Sequence, residues 1–126
     1  MATGAVVMGE IETARRVVEL LEKDGFGLDA AVWATDGEGR GRLYLVPSNL
    51  GDNDRDELRQ TVRVAYTISA HKEELPDRHD LKYSIVGSKH PVIQAVRSVP
   101  AAGGKLQGLY GDGTYIDTAY VLRPAA

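Results

Sequence analysis

The fold of this chain is decided by residues 105–123, which read KLQGLYGDGTYIDTAYVLR. The pair Asp112-Gly113 separates Lys105–Tyr110 from Tyr115–Arg123, two stretches with the residue types of β-strands. Asp-Gly is typical of a type I′ turn, in which both central residues have positive φ and which matches the right-handed twist of paired strands. The segment therefore predicts a hairpin. Its predicted cross-strand pairs are Tyr110 with Tyr115, Leu109 with Ile116 and Gly108 with Asp117.

A second hairpin is predicted where DGEG at 36–39 separates Leu28–Thr35 from Arg42–Pro47. With the turn centred between Glu38 and Gly39, Trp33 would lie opposite Tyr44. The other face of this hairpin would be aliphatic, and it is the predicted core face. It would be formed by Leu28, Ala30, Val32, Ala34, Leu43 and Leu45.

Three helices and a short strand complete the expected elements. Apolar residues at helical spacing predict a first helix over Glu10–Asp24, ended by Gly25. A second helix is expected from Asp52 or Asn53 to about Leu75, with Leu58 and Val62 packed on the sheet. Leu81–Gly87 is typical of a strand, and a short helix is expected between Pro91 and Pro100.

The element order α-β-β-α-β-α-β-β predicts one α+β domain over residues 1–126. The chain has 43% hydrophobic and 26% charged residues, which are ordinary values for a globular domain. Hairpins and helices in this order favour two layers, with a mostly antiparallel five-stranded sheet and the helices on one face.

Charge and cysteine content narrow the function classes. A net charge of −3 gives no global attraction to nucleic acid or anionic membranes, so neither is an expected partner. The chain has no cysteine, which excludes disulfides and thiolate metal sites and fits the cytoplasm. The N-terminal residues lack the basic start of a signal peptide. No glycine-rich stretch has the spacing of a nucleotide-binding loop, and no cofactor or metal is expected.

An enzyme is the alternative interpretation. Asp29 and Asp117 are the acidic residues inside predicted strands, and His79 lies in a polar segment shortly after His71. Two carboxylates, a histidine and a divalent metal would serve a small hydrolase or nuclease-like enzyme. Each of these residues is equally typical of a solvated strand or loop. The catalytic residues are therefore unknown from sequence, with Asp29, Asp117 and His79 as weak candidates.

Arg55, Arg59 and Arg63 recur every four residues and predict a basic ridge on the second helix. The ridge is expected on a different side of the helix from Leu58 and Val62. It would bind phosphate or an acidic partner, or it is a solvated face with local ion pairs; the neighbouring acidic residues favour the solvated face.

The leading hypothesis is a non-catalytic binding or accessory protein that acts through a sheet face or edge, with self-association included. No catalytic set is recognisable, and aromatic side chains in strands are frequent interface residues. Candidate binding residues are Trp33, Tyr44, Tyr110 and Tyr115, together with the three arginines. The expected partner is another protein or a second copy of this chain.

Three segments carry a resemblance. Leu28–Trp33, Arg42–Val46 and the closing Tyr115–Arg123, which reads YIDTAYVLR, resemble a family of small bacterial proteins of unknown function. Members have a helix, a tryptophan-bearing hairpin and a closing segment of the form "iedAYiyR". The resemblance implies an α+β fold and no particular activity. Leu122 and Thr118 depart from that pattern.

Overall fold

A computed structural model describes the backbone of residues 2–35, 41–48, 54–75, 81–97, 105–111 and 114–123, and side chains for 9–35, 41–48, 55–75, 81–96 and 118–122. The chain is α+β, as predicted. Its helices are α1 (Ala2–Lys23), α2 (Asp54–Ala70), followed by a 3₁₀ turn at Lys72–Glu74, and α3 (Pro91–Arg97). Its strands are β1 (Leu28–Thr35), β2 (Gly41–Pro47), β3 (Tyr83–Ile85), β4 (Lys105–Gly111) and β5 (Thr114–Arg123). None of the described helices has the length and apolar character needed to cross a membrane.

The strands form one mixed sheet in the order β3-β2-β1-β5-β4. The β1–β2, β1–β5 and β4–β5 pairs are antiparallel. β2 and β3 are parallel, because α2 carries the chain back across the sheet between them. The parallel pair is a departure from the antiparallel sheet that the sequence predicts.

Helices cover both faces of the sheet, so the predicted arrangement with helices on one face is wrong. One apolar cluster joins α1 and Val64 of α2 to Ala31, Trp33 and Leu43 of the sheet. The other joins α3 to Ala30 and Val32 on the opposite face. The physical reason lies in β1, whose sequence LDAAVWAT is apolar at almost every position. A strand of that kind is buried on both sides instead of one.

The register of the first hairpin differs from the prediction by one residue. Trp33 pairs with Leu43, and Tyr44 pairs with Val32, because the connection spans residues 36–40 between Thr35 and Gly41. A shift of one residue moves a side chain to the opposite face. Trp33 and Tyr44 therefore lie on different faces, and the predicted pair between them is wrong.

The register of the last hairpin is confirmed. Leu109 pairs with Ile116 and Tyr110 pairs with Tyr115, and Gln107 pairs with Thr118 in the same register. The predicted positive φ at Asp112-Gly113 falls outside the described residues.

The end of α1 is fixed by its backbone. Gly25 has φ of 84°, and its N–H donates to the carbonyl of Glu22 at 3.1 Å. The N–H of Phe26 donates to the carbonyl of Leu21 at 2.8 Å. These two bonds form a Schellman motif, which explains the helix end predicted at Gly25.

Candidate interaction surface on helix α2

Helix α2 exposes three large apolar side chains. Leu58 is 65% exposed, Val62 is 59% exposed and Tyr66 is 77% exposed. They are spaced four residues apart, so they lie along one stripe of the helix. Exposed apolar residues that occur singly need no explanation, whereas a contiguous group indicates an interaction site.

The opposite side of α2 faces the protein. Gln60, Val64 and Thr67 are buried there, and Val64 belongs to the core shared with α1. The prediction that Leu58 and Val62 pack on the sheet is therefore wrong. The physical reason is that α1 supplies most of the apolar side chains on this face. α2 instead contacts α1 and the short edge strand β3, and there it buries a narrow and partly polar side.

Two arginines share the exposed side with the apolar stripe. Arg55 and Arg59 are exposed, and Arg59 lies 4.0 Å from Asp56. Arg55 precedes Val62 by seven residues, close to two helical turns, and Arg59 precedes it by three. The prediction that the basic ridge is on a different side from the apolar residues is wrong for these two. We call the exposed residues of this side the α2 outer face. They are Arg55, Leu58, Arg59, Val62, Ala65, Tyr66 and Ser69.

Arg63 has a different environment. Its guanidinium carbon lies 4.9 Å from the centroid of the Phe26 ring, and Nη1 lies 3.5 Å from Oε1 of Gln60. The contact with Phe26 is a cation–π interaction within the chain. Arg63 therefore links α2 to the segment after α1, and it is not part of the α2 outer face.

Tyr66 is the interface residue that the sequence reasoning missed. It continues the Leu58 and Val62 stripe by one further interval of four residues. That spacing was the available signal. The attention given to tyrosines in strands hid it, because Tyr66 lies in a helix.

A polar cluster joins the ends of α1 and α2. His71 Nδ1 lies 2.8 Å from Glu74 Oε2, and His71 Nε2 lies 3.2 Å from Asp24 Oδ2. Glu74 also accepts a hydrogen bond from Arg16. The hydrogen bonds to Glu74 and then to Asp24 raise the pKa of His71 above its ordinary value. With a carboxylate at each ring nitrogen, the charged imidazolium donates to both, which connects two elements that are distant in sequence.

No group of three metal-ligating side chains occurs among the residues whose side chains are described. His79, which the sequence placed near His71 in a candidate metal site, falls outside the described residues.

His90 has a structural role at the start of α3. Its Nδ1 accepts a hydrogen bond from the N–H of Val92 at 3.2 Å, so the side chain caps the helix. Burial lowers the pKa of His90, which favours the neutral ring that can accept this bond. The Tyr44 ring lies 5.2 Å from the His90 ring, centroid to centroid. Tyr44 is therefore half-buried against α3 instead of projecting from an open face.

The two aspartate candidates lie at opposite ends of the β1–β5 pair. Thr35 pairs with Thr118, the neighbour of Asp117, whereas Asp29 lies six residues before Thr35 along β1. At about 3.3 Å per residue, the two positions are roughly 20 Å apart. A paired-carboxylate site made of Asp29 and Asp117 does not form in this fold.

The aromatic candidates divide in the same way. Trp33 is 1% exposed and lies in the core, where its ring centroid is 6.0 Å from that of Tyr120. It is therefore a core residue and not an exposed binding residue. The side chains of Tyr110 and Tyr115 fall outside those described, and their binding role stays a prediction.

Comparison of the chain with protein-family models, curated proteins and solved structures finds no match. The resemblance to small bacterial proteins thus stays a prediction. The functional argument depends on the α2 outer face itself.

Proposed function

We propose that this chain is a non-catalytic binding or accessory protein whose docking surface is the α2 outer face. The observation that carries the proposal is the exposure of Leu58, Val62 and Tyr66 in one stripe. They are the large hydrophobic residues that stand out as exposed among the described side chains, and all three lie on one helix.

The composition of the surface supports a protein partner. Tyrosine and arginine are enriched at the energetically dominant positions of interfaces, and a tyrosine presents a large rigid surface at low entropic cost. The α2 outer face combines Tyr66 with Arg55 and Arg59 around the apolar stripe. An amphipathic helix of this kind is recognised through residues spaced by three, four and seven positions.

The sheet supports the proposal less well than the helix does. The faces of β1 are covered by α1 and α3, so a partner has no access to the sheet there. β4 is a seven-residue strand at one edge of the sheet, and among the described strands it pairs with β5 alone. An edge strand can accept a strand from another protein. The β4 edge is therefore the second candidate surface, and the cytoplasm stays the proposed location.

The experiment compares Val62→Glu with Gln94→Glu in a pull-down from cells that express the tagged chain and an untagged copy. Both substitutions add one negative charge at an exposed helical position, but Gln94 lies on α3. We expect the wild-type chain and Gln94→Glu to retain the same bound protein, and Val62→Glu to lose it. Equal retention by both variants would contradict the assignment of the surface, and recovery of no protein by the wild type would contradict the binding function.

A further inference from the structure

We infer that the α2 outer face docks on the same face of a second copy of this chain, with the two α2 helices antiparallel and a two-fold axis at Val62. The inference rests on the proposed function and names its partner. Three observations carry it: the symmetry of the stripe, the distribution of charge along α2, and the amount of apolar surface exposed.

The stripe is symmetric about its middle residue. Leu58 and Tyr66 lie four residues before and after Val62, so a two-fold axis at Val62 brings each Val62 against its copy. Leu58 then lies beside the partner's Ala65, a large residue against a small one. Because Arg59 and Tyr66 are displaced to the same side of the stripe, Arg59 lies over the ring of the partner's Tyr66.

The charge distribution selects the antiparallel orientation. The arginines of the outer face, Arg55 and Arg59, belong to the first half of α2. The last turn of α2 contains no basic residue, so the negative end of its helix dipole has no positive side chain beside it within that turn. Antiparallel pairing places Arg55 near that end of the partner helix. Parallel pairing would instead place each of the two arginines against its own copy.

The exposed apolar area is suited to a weak dimer. At their observed exposures, Leu58, Val62 and Tyr66 together present roughly 400 Å² per chain. Two copies would bury about twice that area, and the arginine stems and small residues around the stripe bring the total toward the ~1,200 Å² lower limit of specific interfaces. The dimer should therefore form reversibly and depend on protein concentration.

Cysteine cross-linking tests the axis directly, because the wild-type chain contains no cysteine. In Val62→Cys the two thiols face each other across the axis, within the Cα separation that a disulfide allows. The matched control is Lys23→Cys, an exposed position on α1. We expect Val62→Cys to form a disulfide dimer at least about tenfold faster than the control under the same oxidant. Equal rates would overturn the inference.

A second pair of variants tests the orientation. In the antiparallel dimer, Leu58→Cys mixed with Ala65→Cys forms a mixed disulfide, whereas Leu58→Cys alone has its thiols about 12 Å apart along the helix axis and does not. Self-linking of Leu58→Cys at the rate of the mixture would overturn the antiparallel orientation. Circular dichroism confirms that each variant is folded.

Sedimentation of the wild-type chain separates the two proposals. We expect the average mass to rise from monomer toward dimer with concentration, and Val62→Glu to remain a monomer throughout. A wild-type chain that is monomeric up to about 1 mM, the weak end of the measurable affinity range, would overturn the dimer. The binding function would still stand if the pull-down recovered a different protein through Val62.

Discussion

Substitution of Gly41 by alanine should destabilise the fold through a collision with Trp33. A Cβ atom at Gly41 would lie 2.8 Å from Cε2 of Trp33, closer still to Cζ2, and 2.9 Å from a carboxylate oxygen of Glu10. The indole cannot move away freely, because Trp33 is 1% exposed and packs in the core. Only glycine leaves space for the ring to cross the start of β2.

The expected magnitude follows from the rigidity of the neighbour. Added methyl groups in a packed core cost about 1–3 kcal/mol, and a buried aromatic ring places Gly41→Ala near the upper end. Without the collision, alanine in a strand would be more stable than glycine by about 0.5–1 kcal/mol. The sign of the change therefore reports the contact with Trp33. A loss of about 3 kcal/mol should lower Tm by about 10 °C in a domain of this size.

The assay is urea unfolding followed by the fluorescence of Trp33, which is the single tryptophan of the chain. Gly9→Ala is the matched control, because the same methyl group on α1 would meet no atom within 4 Å. Its higher helix propensity should raise the free energy of unfolding by up to about 1 kcal/mol. The reasoning is refuted if Gly41→Ala unfolds at the same or a higher urea concentration than the wild type.

Three further outcomes are expected. The hydrogen bonds of His71 to Glu74 and Asp24 raise its pKa, so they stabilise the fold below the ordinary histidine pKa, and this is lost as pH rises through the raised value. Urea unfolding should therefore show a larger deficit for His71→Gln at pH 6 than at pH 9, and a deficit independent of pH would contradict the ion pair. His90→Ala should lower the free energy of unfolding by about 0.5–2 kcal/mol through the lost cap, whereas His90→Asn should recover most of it; equal losses in thermal unfolding would exclude capping. Replacing both Arg55 and Arg59 by alanine should change the free energy of unfolding by no more than about 1 kcal/mol per residue, since the two side chains are exposed, and a larger loss of Tm would show that they pack within the chain.

The sequence predicted those parts of the fold that depend on local chemistry. Asp112-Gly113 gave the register of β4 and β5, because a two-residue turn leaves one choice of pairing. The connection at 36–40 is longer, and its sequence does not specify the pairing, so the register of β1 and β2 was wrong by one residue. The layer arrangement was wrong because the apolar character of β1 on both faces was given too little weight.

The candidate site was mispredicted for a different reason. Periodicity shows that Leu58 and Val62 share a stripe of α2, but it does not show which neighbour covers that stripe. The answer depends on α1, which already fills the core on this side of the sheet. The exposed stripe therefore became visible only when all elements were placed together.

The central position of β1 and β5 in the sheet determines how the chain can fold. The hydroxyl of Thr35 donates to the carbonyl of Thr118 at 3.4 Å, across 83 positions of sequence. Closing a loop of that length costs on the order of 4 kcal/mol in chain entropy. Each hairpin can form locally within microseconds, whereas their union must wait for this closure. Until then β1 and β5 each present an unpaired edge, so the slow step of folding is also the step at which the chain is most prone to aggregate.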